Sequence, residues 1–222
     1  TRWTGDWSSD VCSSDLFAVV RTLMLDALEA PVAAAFERAL ETIAQAGAQI
    51  EFIDLPLLDE LPRLTQDGGL PAAESWAWHR ELLAHDGARY DPRVAARIRR
   101  GAAITPEALA ALHAARADWI DRMSAALAGF DAVLSPTVPV TPPPLAPLLA
   151  DDAAFFEVNA RLLRNPSVVN LLDGCAISLP CHAPGTAPVG LMAWSLGGRD
   201  DRLLSLALQL EAALKPARES AR

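Results

Sequence analysis

The sequence predicts an α/β fold. Three observations carry this: a strand–helix–strand pattern over residues 16–55, two strand-length apolar runs late in the chain followed by a closing amphipathic helix, and the overall composition. Of 222 residues, 51% are hydrophobic and 21% charged. A chain of that size and make-up buries well over half of its unfolded surface.

Residues 16–20 form an apolar run of strand length. Pro31 then stands where a first helical position belongs, and Val32, Phe36, Ala39, Leu40 and Ile43 recur at helical spacing up to Gly47. Ile50, Phe52 and Ile53 begin a second strand stopped by Pro56, so residues 16–55 read as one β-α-β unit with parallel strands. From Pro71 to Gly129 the pattern is helical. Trp76 and Leu83 share a face, Asp91-Pro92 opens a short helix, and Thr105-Pro106-Glu107 opens a long one. In the long helix Leu109, Leu112, Trp119, Ile120, Met123 and Leu127 form an apolar stripe that requires a core. Residues 131–134 read as a buried strand. Six prolines from Pro136 to Pro147 then predict no regular structure before about Asp151, either as a linker or as an ordered crossover loop. Two helical segments follow, at 155–163 and 168–172, then strands at 175–179 and 189–196 and a final helix with Leu203, Leu206, Leu210 and Leu214 on its inner face.

The first fifteen residues fit none of this. They hold Trp3, Trp7, Cys12 and two Ser-Ser-Asp triplets without periodicity. Residues 1–15 are therefore expected to be a non-native leader of adaptor origin, the alternative being a disordered tail. Residues 16–214 are expected to be part of one domain, with 215–222 as a flexible tail.

Charge and cysteine content exclude several function classes. A net charge of −9 opposes a nucleic-acid partner, because phosphate binding needs clustered lysine and arginine. The one basic cluster, Arg97, Arg99 and Arg100, reads as the solvated end of a helix closing at Gly101. Cys12, Cys175 and Cys181 make no paired framework, and four scattered histidines complete no zinc site, so a reducing cytoplasm and no metal are expected. No apolar run reaches the length of a membrane span.

From Asp131 onward the order of motifs resembles the carboxy-terminal half of the amidase-signature family. The carriers are a buried strand ending in Ser135-Pro136-Thr137-Val138-Pro139, then Asn170 and Gly174 ahead of Ala176-Ile177-Ser178-Leu179-Pro180, then Pro188-Val189-Gly190-Leu191 and a closing helix to Glu211. The similarity covers roughly residues 16–214. It implies an incomplete portion of an α/β/α sandwich around a mixed sheet, and hydrolysis of a small carboxamide by a serine nucleophile, a second serine in a cis peptide and a lysine. A serine hydroxyl is a feeble nucleophile until its proton is taken, and backbone N–H groups of a glycine-rich loop hold the oxyanion. No Gly-Gly-Ser-Ser-Gly-type run is present, and the single lysine, Lys215, sits near the end of the last helix. No catalytic residue is therefore expected in this chain, which alone should be inactive. The resemblance further implies no organic cofactor and a possible homodimer for the full-length protein.

By resemblance, Arg116 pairs with a substrate carboxylate in bidentate fashion, and Thr137, Asn170 and Gly174 border the pocket. Against these stand plainer roles: an exposed helix arginine paired with Asp118 or Asp121, and a buried asparagine satisfying loop backbone. Glu74, His79, Glu81 and His85 read as a polar helix face. Ser178, His182 and Asp173 make a triad only on paper, with no Gly-x-Ser-x-Gly turn to support it. Leu171-Leu172-Asp173 and Met192-Ala193-Trp194 depart from the family pattern and favour a general amidase over the glutamine-amidase component of a tRNA-dependent amidotransferase. A noncatalytic α/β binding domain is the remaining alternative.

Overall fold

The computed structural model describes residues 15–219, with side chains as far as Lys215; Trp3, Trp7 and Cys12 lie outside the described residues. In chain order the elements are β1 (Leu16–Val20), α1 (Ala30–Gln45), β2 (Gln49–Ile53), α2 (Leu61–Leu64), α3 (Gly69–Asp86), α4 (Pro92–Arg100) and α5 (Pro106–Leu127). There follow β3 (Ala132–Pro136), α6 (Leu145–Ala150), α7 (Asp152–Leu171), β4 (Cys175–Pro180), β5 (Gly190–Ser195) and α8 (Asp200–Glu219). They separate into two compact units, Pro56–Ala125 forming one and the residues on either side of it the other.

The first unit is an open five-stranded mixed sheet of order β2-β1-β3-β5-β4. β1 runs parallel to both β2 and β3, while β5 is antiparallel to β3 and to β4. The fold class read from the sequence is thus the observed one. Side chains alternate faces along a strand. Phe17, Val19, Leu134, Leu191 and Ala193 all point to one core, where they meet Phe36 and Ile43 of α1 and Leu203, Leu206, Leu210 and Leu214 of α8. Each fully buried leucine of that stripe contributes about 1.5–3 kcal/mol. Val133, Ser135, Met192 and Trp194 occupy the opposite face and are also buried.

Asp15, at the boundary of the expected leader, is built into the sheet. Its carbonyl accepts from Gln49 N–H at 3.0 Å, and its carboxylate accepts from Arg202 at 2.6 Å. Arg202 also donates to Asp131, whose other oxygen accepts from Leu16 N–H at 3.0 Å. The amino ends of β1 and β3 are pinned by this one arginine. Burial pushes the Asp131 carboxyl up, but the hydrogen bonds from Arg202 and Leu16 outweigh it and hold the group below its ordinary value.

Two sequence expectations are corrected by the structure. The proline-rich stretch contains a helix, α6, because Pro147 falls in its first turn, where a missing N–H costs nothing. The segments expected at 155–163 and 168–172 are one continuous helix, α7, opened by Asp151 accepting from Ala153 N–H at 2.9 Å and carrying Pro166 inside it. A proline there removes a backbone hydrogen bond at a cost of about 3 kcal/mol, which the burial of Asn165, Val168, Val169 and Leu171 offsets. At the carboxy terminus, α8 continues through Glu219.

In the second unit, Asp91 caps α4 by accepting from Arg93 N–H at 2.8 Å and Val94 N–H at 3.3 Å. Thr105 caps α5 through Ala108 N–H. Leu83, Ala95 and Ile98 pack with Trp76 and Tyr90. α3 and α4 approach closely because position 101 lacks a side chain: a Cβ there would lie 2.7 Å from Trp76 Cβ and collide with the Ala72 carbonyl. The Trp119 indole N–H donates to Leu57 O at 2.8 Å. The two-pronged contact of Arg122 is chiefly what draws the Glu60 carboxyl down to about 2.

Candidate active site

β1 has β2 on one side and β3 on the other, and all three run the same way. The chain leaves β1 through α1 toward β2 and returns to the far side of β1 at β3. In an open α/β sheet such a reversal leaves a crevice at the carboxyl ends of the strands, where ligands bind. Two loops border it here, residues 21–29 after β1 and 137–144 after β3.

These loops are fastened to each other. Glu29 N–H donates to Pro139 O at 2.9 Å, and the Glu29 carboxylate accepts from Thr141 N–H at 2.8 Å and from Thr141 Oγ1 at 2.7 Å. The Thr141 backbone bond, followed by its hydroxyl, lowers the Glu29 pKa. From behind, Asn165 Nδ2 donates to Pro136 O at 2.8 Å and Met24 O at 3.2 Å, and Arg164 donates to Asp26 O at 2.7 Å. The β1 loop holds two non-glycine residues at positive φ, Leu23 at 63° and Ala27 at 46°. That conformation costs energy for an L-residue and persists because the surroundings over-determine it.

Thr137, Ser178 and Gly190 meet at the mouth. Thr137 N–H donates to Gly190 O at 2.8 Å, and Thr137 Oγ1 and Ser178 Oγ share a 2.5 Å hydrogen bond. Ser178 lies in β4 and Thr137 directly follows β3, on either side of β5, and their hydroxyls meet across it because residue 190 has no side chain. A Cβ at Gly190 would fall 2.6 Å from Thr137 Oγ1 and collide with Ser178 Oγ as well. Met192 lies opposite both Ser135 and Ser178, which places three hydroxyl-bearing residues on one face of the sheet. Ser135 Oγ and Trp194 Nε1 on that face are buried without a hydrogen-bond partner.

The four residues expected at the pocket are placed unequally. Thr137 lies at the crevice. Gly174 lies at the start of β4, four residues or about 13 Å along the strand from Ser178; its N–H donates to Val169 O, and a Cβ there would lie 2.5 Å from Ser195 O. Asn170 is exposed in the last turn of α7. The buried asparagine that satisfies loop carbonyls is Asn165. Arg116 is half-buried in α5 and belongs to the other unit, where Asp118 pairs with Arg122 at 2.8 Å.

Sequence reasoning passed over Asn165, Ser178 and Gly190 as working residues. Asn165-Pro166 inside a helical pattern was the available signal for the first; nothing local announces the other two, and the hydroxyls of Thr137 and Ser178 that meet at Gly190 are 41 residues apart. The paper triad is not assembled: Ser178 bonds Thr137, while His182 Nδ1 sits 3.4 Å from Val189 O. His79 pairs with the Tyr90 hydroxyl at 2.8 Å. Among the described residues no group of three or more metal-binding side chains is assembled, and no helix is long and apolar enough to cross a membrane. Lys215 is 3.7 Å from Glu211 on the surface of α8.

Comparison with known proteins agrees with this architecture. The 2-amino-5-chloromuconic acid deaminase of Comamonas testosteroni is 31% identical over 84% of this chain and 40% of its own length. The glutamyl-tRNA(Gln) amidotransferase component of Sulfolobus acidocaldarius that carries the letter A is 25% identical over 93% of this chain and 47% of its own. The chain thus spans less than half the length of these two curated relatives. Among solved structures, Kluyveromyces lactis allophanate hydrolase superposes with a TM-score of 0.78 at 22% identity, covering 91% of this chain and 32% of that one, which shows a shared fold. A family model described as amidase matches residues 13–204, and by that match the chain belongs to the amidase family.

Proposed function

We propose that this chain is the carboxy-terminal part of an amidase that hydrolyses a carboxamide to a carboxylate and ammonia. The observation that carries this is the amidase match over residues 13–204 together with the crevice at the ends of β1 and β3. In the reaction a serine oxygen attacks the amide carbon, its proton passes through a second serine to a neutral lysine, ammonia leaves, and water cleaves the resulting ester. The only lysine here is Lys215, engaged with Glu211. The nucleophile and its relay therefore belong to sequence outside these 222 residues, and this part supplies the substrate wall.

Of the residues carried over by resemblance, Thr137 contacts the substrate at the crevice, with Ser178 and Gly190 setting its hydroxyl. Arg116 receives a substrate carboxylate when the substrate bears one. Gly174 and Asn170 hold the turn into β4. The relatives' names, a deaminase and an amidotransferase component, both describe nitrogen leaving carbon, which fits amide cleavage. A general amidase is preferred over the amidotransferase component because the deaminase is the more similar of the two. Residues 16–214 act as one part of the amidase domain, after a non-native leader. The substrate is a small amide, the compartment the cytoplasm, where Cys175 and Cys181 remain thiols, and the full-length enzyme a homodimer.

Ammonia release from a set of simple carboxamides tests this, using the chain alone and the chain co-expressed with an amino-terminal amidase half. Turnover only in the second case is expected. Absence of turnover in both, with the two halves shown to associate, would remove the amidase reading.

A further inference from the structure

The second unit carries a charged feature that the amidase reading does not use. α4 holds four arginines in nine residues and no acid, in a chain whose net charge is −9. Arg97 and Arg100, three positions apart and so on one side of the helix, line a cavity of about 330 Å³. Gly68, Pro71, Ala72 and Ser75 form the facing wall, and Val94 and Ile98 the apolar remainder. Neither the Arg97 nor the Arg100 guanidinium has an ion pair or hydrogen bond with a described residue.

The dipole at the carboxy end of α4 accounts for part of this charge, since it is worth about half an elementary charge. It does not account for two unpaired guanidinium groups converging on one concavity. Gly68 stands at φ 92°, and a Cβ there would lie in ordinary contact with Arg100 Nε, at 4.0 Å, so the glycine borders the guanidinium. Gly68 is also the cap of the 18-residue α3, whose positive end adds to the field of the arginines. Paired planar forks are the side chains best suited to carboxylate and phosphate oxygens, and the volume falls in the range of small-ligand pockets.

We propose that this cavity binds a small dianion, a dicarboxylate or a phosphate monoester, clamped between Arg97 and Arg100 with Val94 and Ile98 against its carbon skeleton. The proposal is independent of where the amidase nucleophile resides.

Calorimetric titration of the full chain with inorganic phosphate and, separately, with succinate at fixed ionic strength tests it. One-site saturable binding of at least one of the two is expected, and the tighter ion identifies the chemistry. Arg97→Ala and Arg100→Ala should each weaken that binding by about tenfold or more. Arg97→Lys/Arg100→Lys keeps the charge but loses the fork, and should bind more weakly than the wild type. Arg80→Ala, which removes an exposed charge outside the cavity, should bind as the wild type does. All four changes are at exposed side chains, and matching circular dichroism spectra verify the fold. Failure of both ions to saturate, or an equal loss in Arg80→Ala, would overturn the proposal, the latter by showing diffuse attraction rather than a site.

Discussion

Asn165 joins the two loops of the crevice: its side-chain amide donates to Pro136 O at the end of β3 and to Met24 O in the loop after β1. It is fully buried. One side chain on α7 thereby fixes the spacing of two strand ends to which it is not adjacent in sequence.

Removing that amide leaves Pro136 O without its side-chain donor and Met24 O with the longer bond from Arg164 at 3.4 Å. Asn165→Ala should lower stability by about 1–3 kcal/mol, the cost of one unsatisfied buried group. Urea denaturation measures it. A change within experimental error would show that these carbonyls find other partners.

Glu29 ties the same loops by a charge. Its folded pKa lies below the ordinary value of 4.5 because Thr141 donates to it. A lowered folded pKa contributes stability that is complete above the unfolded value and is lost as pH falls from there through the folded one. Thermal melts of wild type and Glu29→Gln should therefore differ most above about pH 5 and converge in acid. Curves that stay parallel down to about pH 3 would remove Glu29 from this role.

Gly190 is required by two oxygens. Gly190→Ala should cost about 1–3 kcal/mol through overpacking against Thr137 and Ser178. The cost should shrink when Thr137→Ala and Ser178→Ala remove those oxygens. A cycle of the single and combined variants isolates the coupling; additivity would place the strain elsewhere.

Much of the fold was legible because it rests on local chemistry. Pro31 and the stripe from Val32 to Ile43 specify α1, Asp91-Pro92 specifies the start of α4, and the four leucines from Leu203 to Leu214 specify the buried side of α8. The errors have a common origin in proline. Reading each proline as a breaker split α7 and erased α6, whereas a first-turn position and tertiary burial made Pro147 and Pro166 tolerable.

The site was less legible than the fold. Thr137 was identified through a motif, but its partner Ser178 and the empty position at Gly190 become a unit only when β5 lies between β3 and β4. Strand order is a long-range property, and a polar residue at an outward strand position looks the same whether it faces water or a second hydroxyl. Asn165 was missed for a related reason: its two acceptors are backbone atoms 29 and 141 residues away.

The most direct test of the account is ammonia production by the purified 222-residue chain, measured with and without a separately produced amino-terminal amidase segment. Turnover that appears only on mixing, and disappears when the serine of the added segment is replaced by alanine, is the predicted result. Carboxamide cleavage by the chain alone, abolished by substituting one of its own serines, would contradict it.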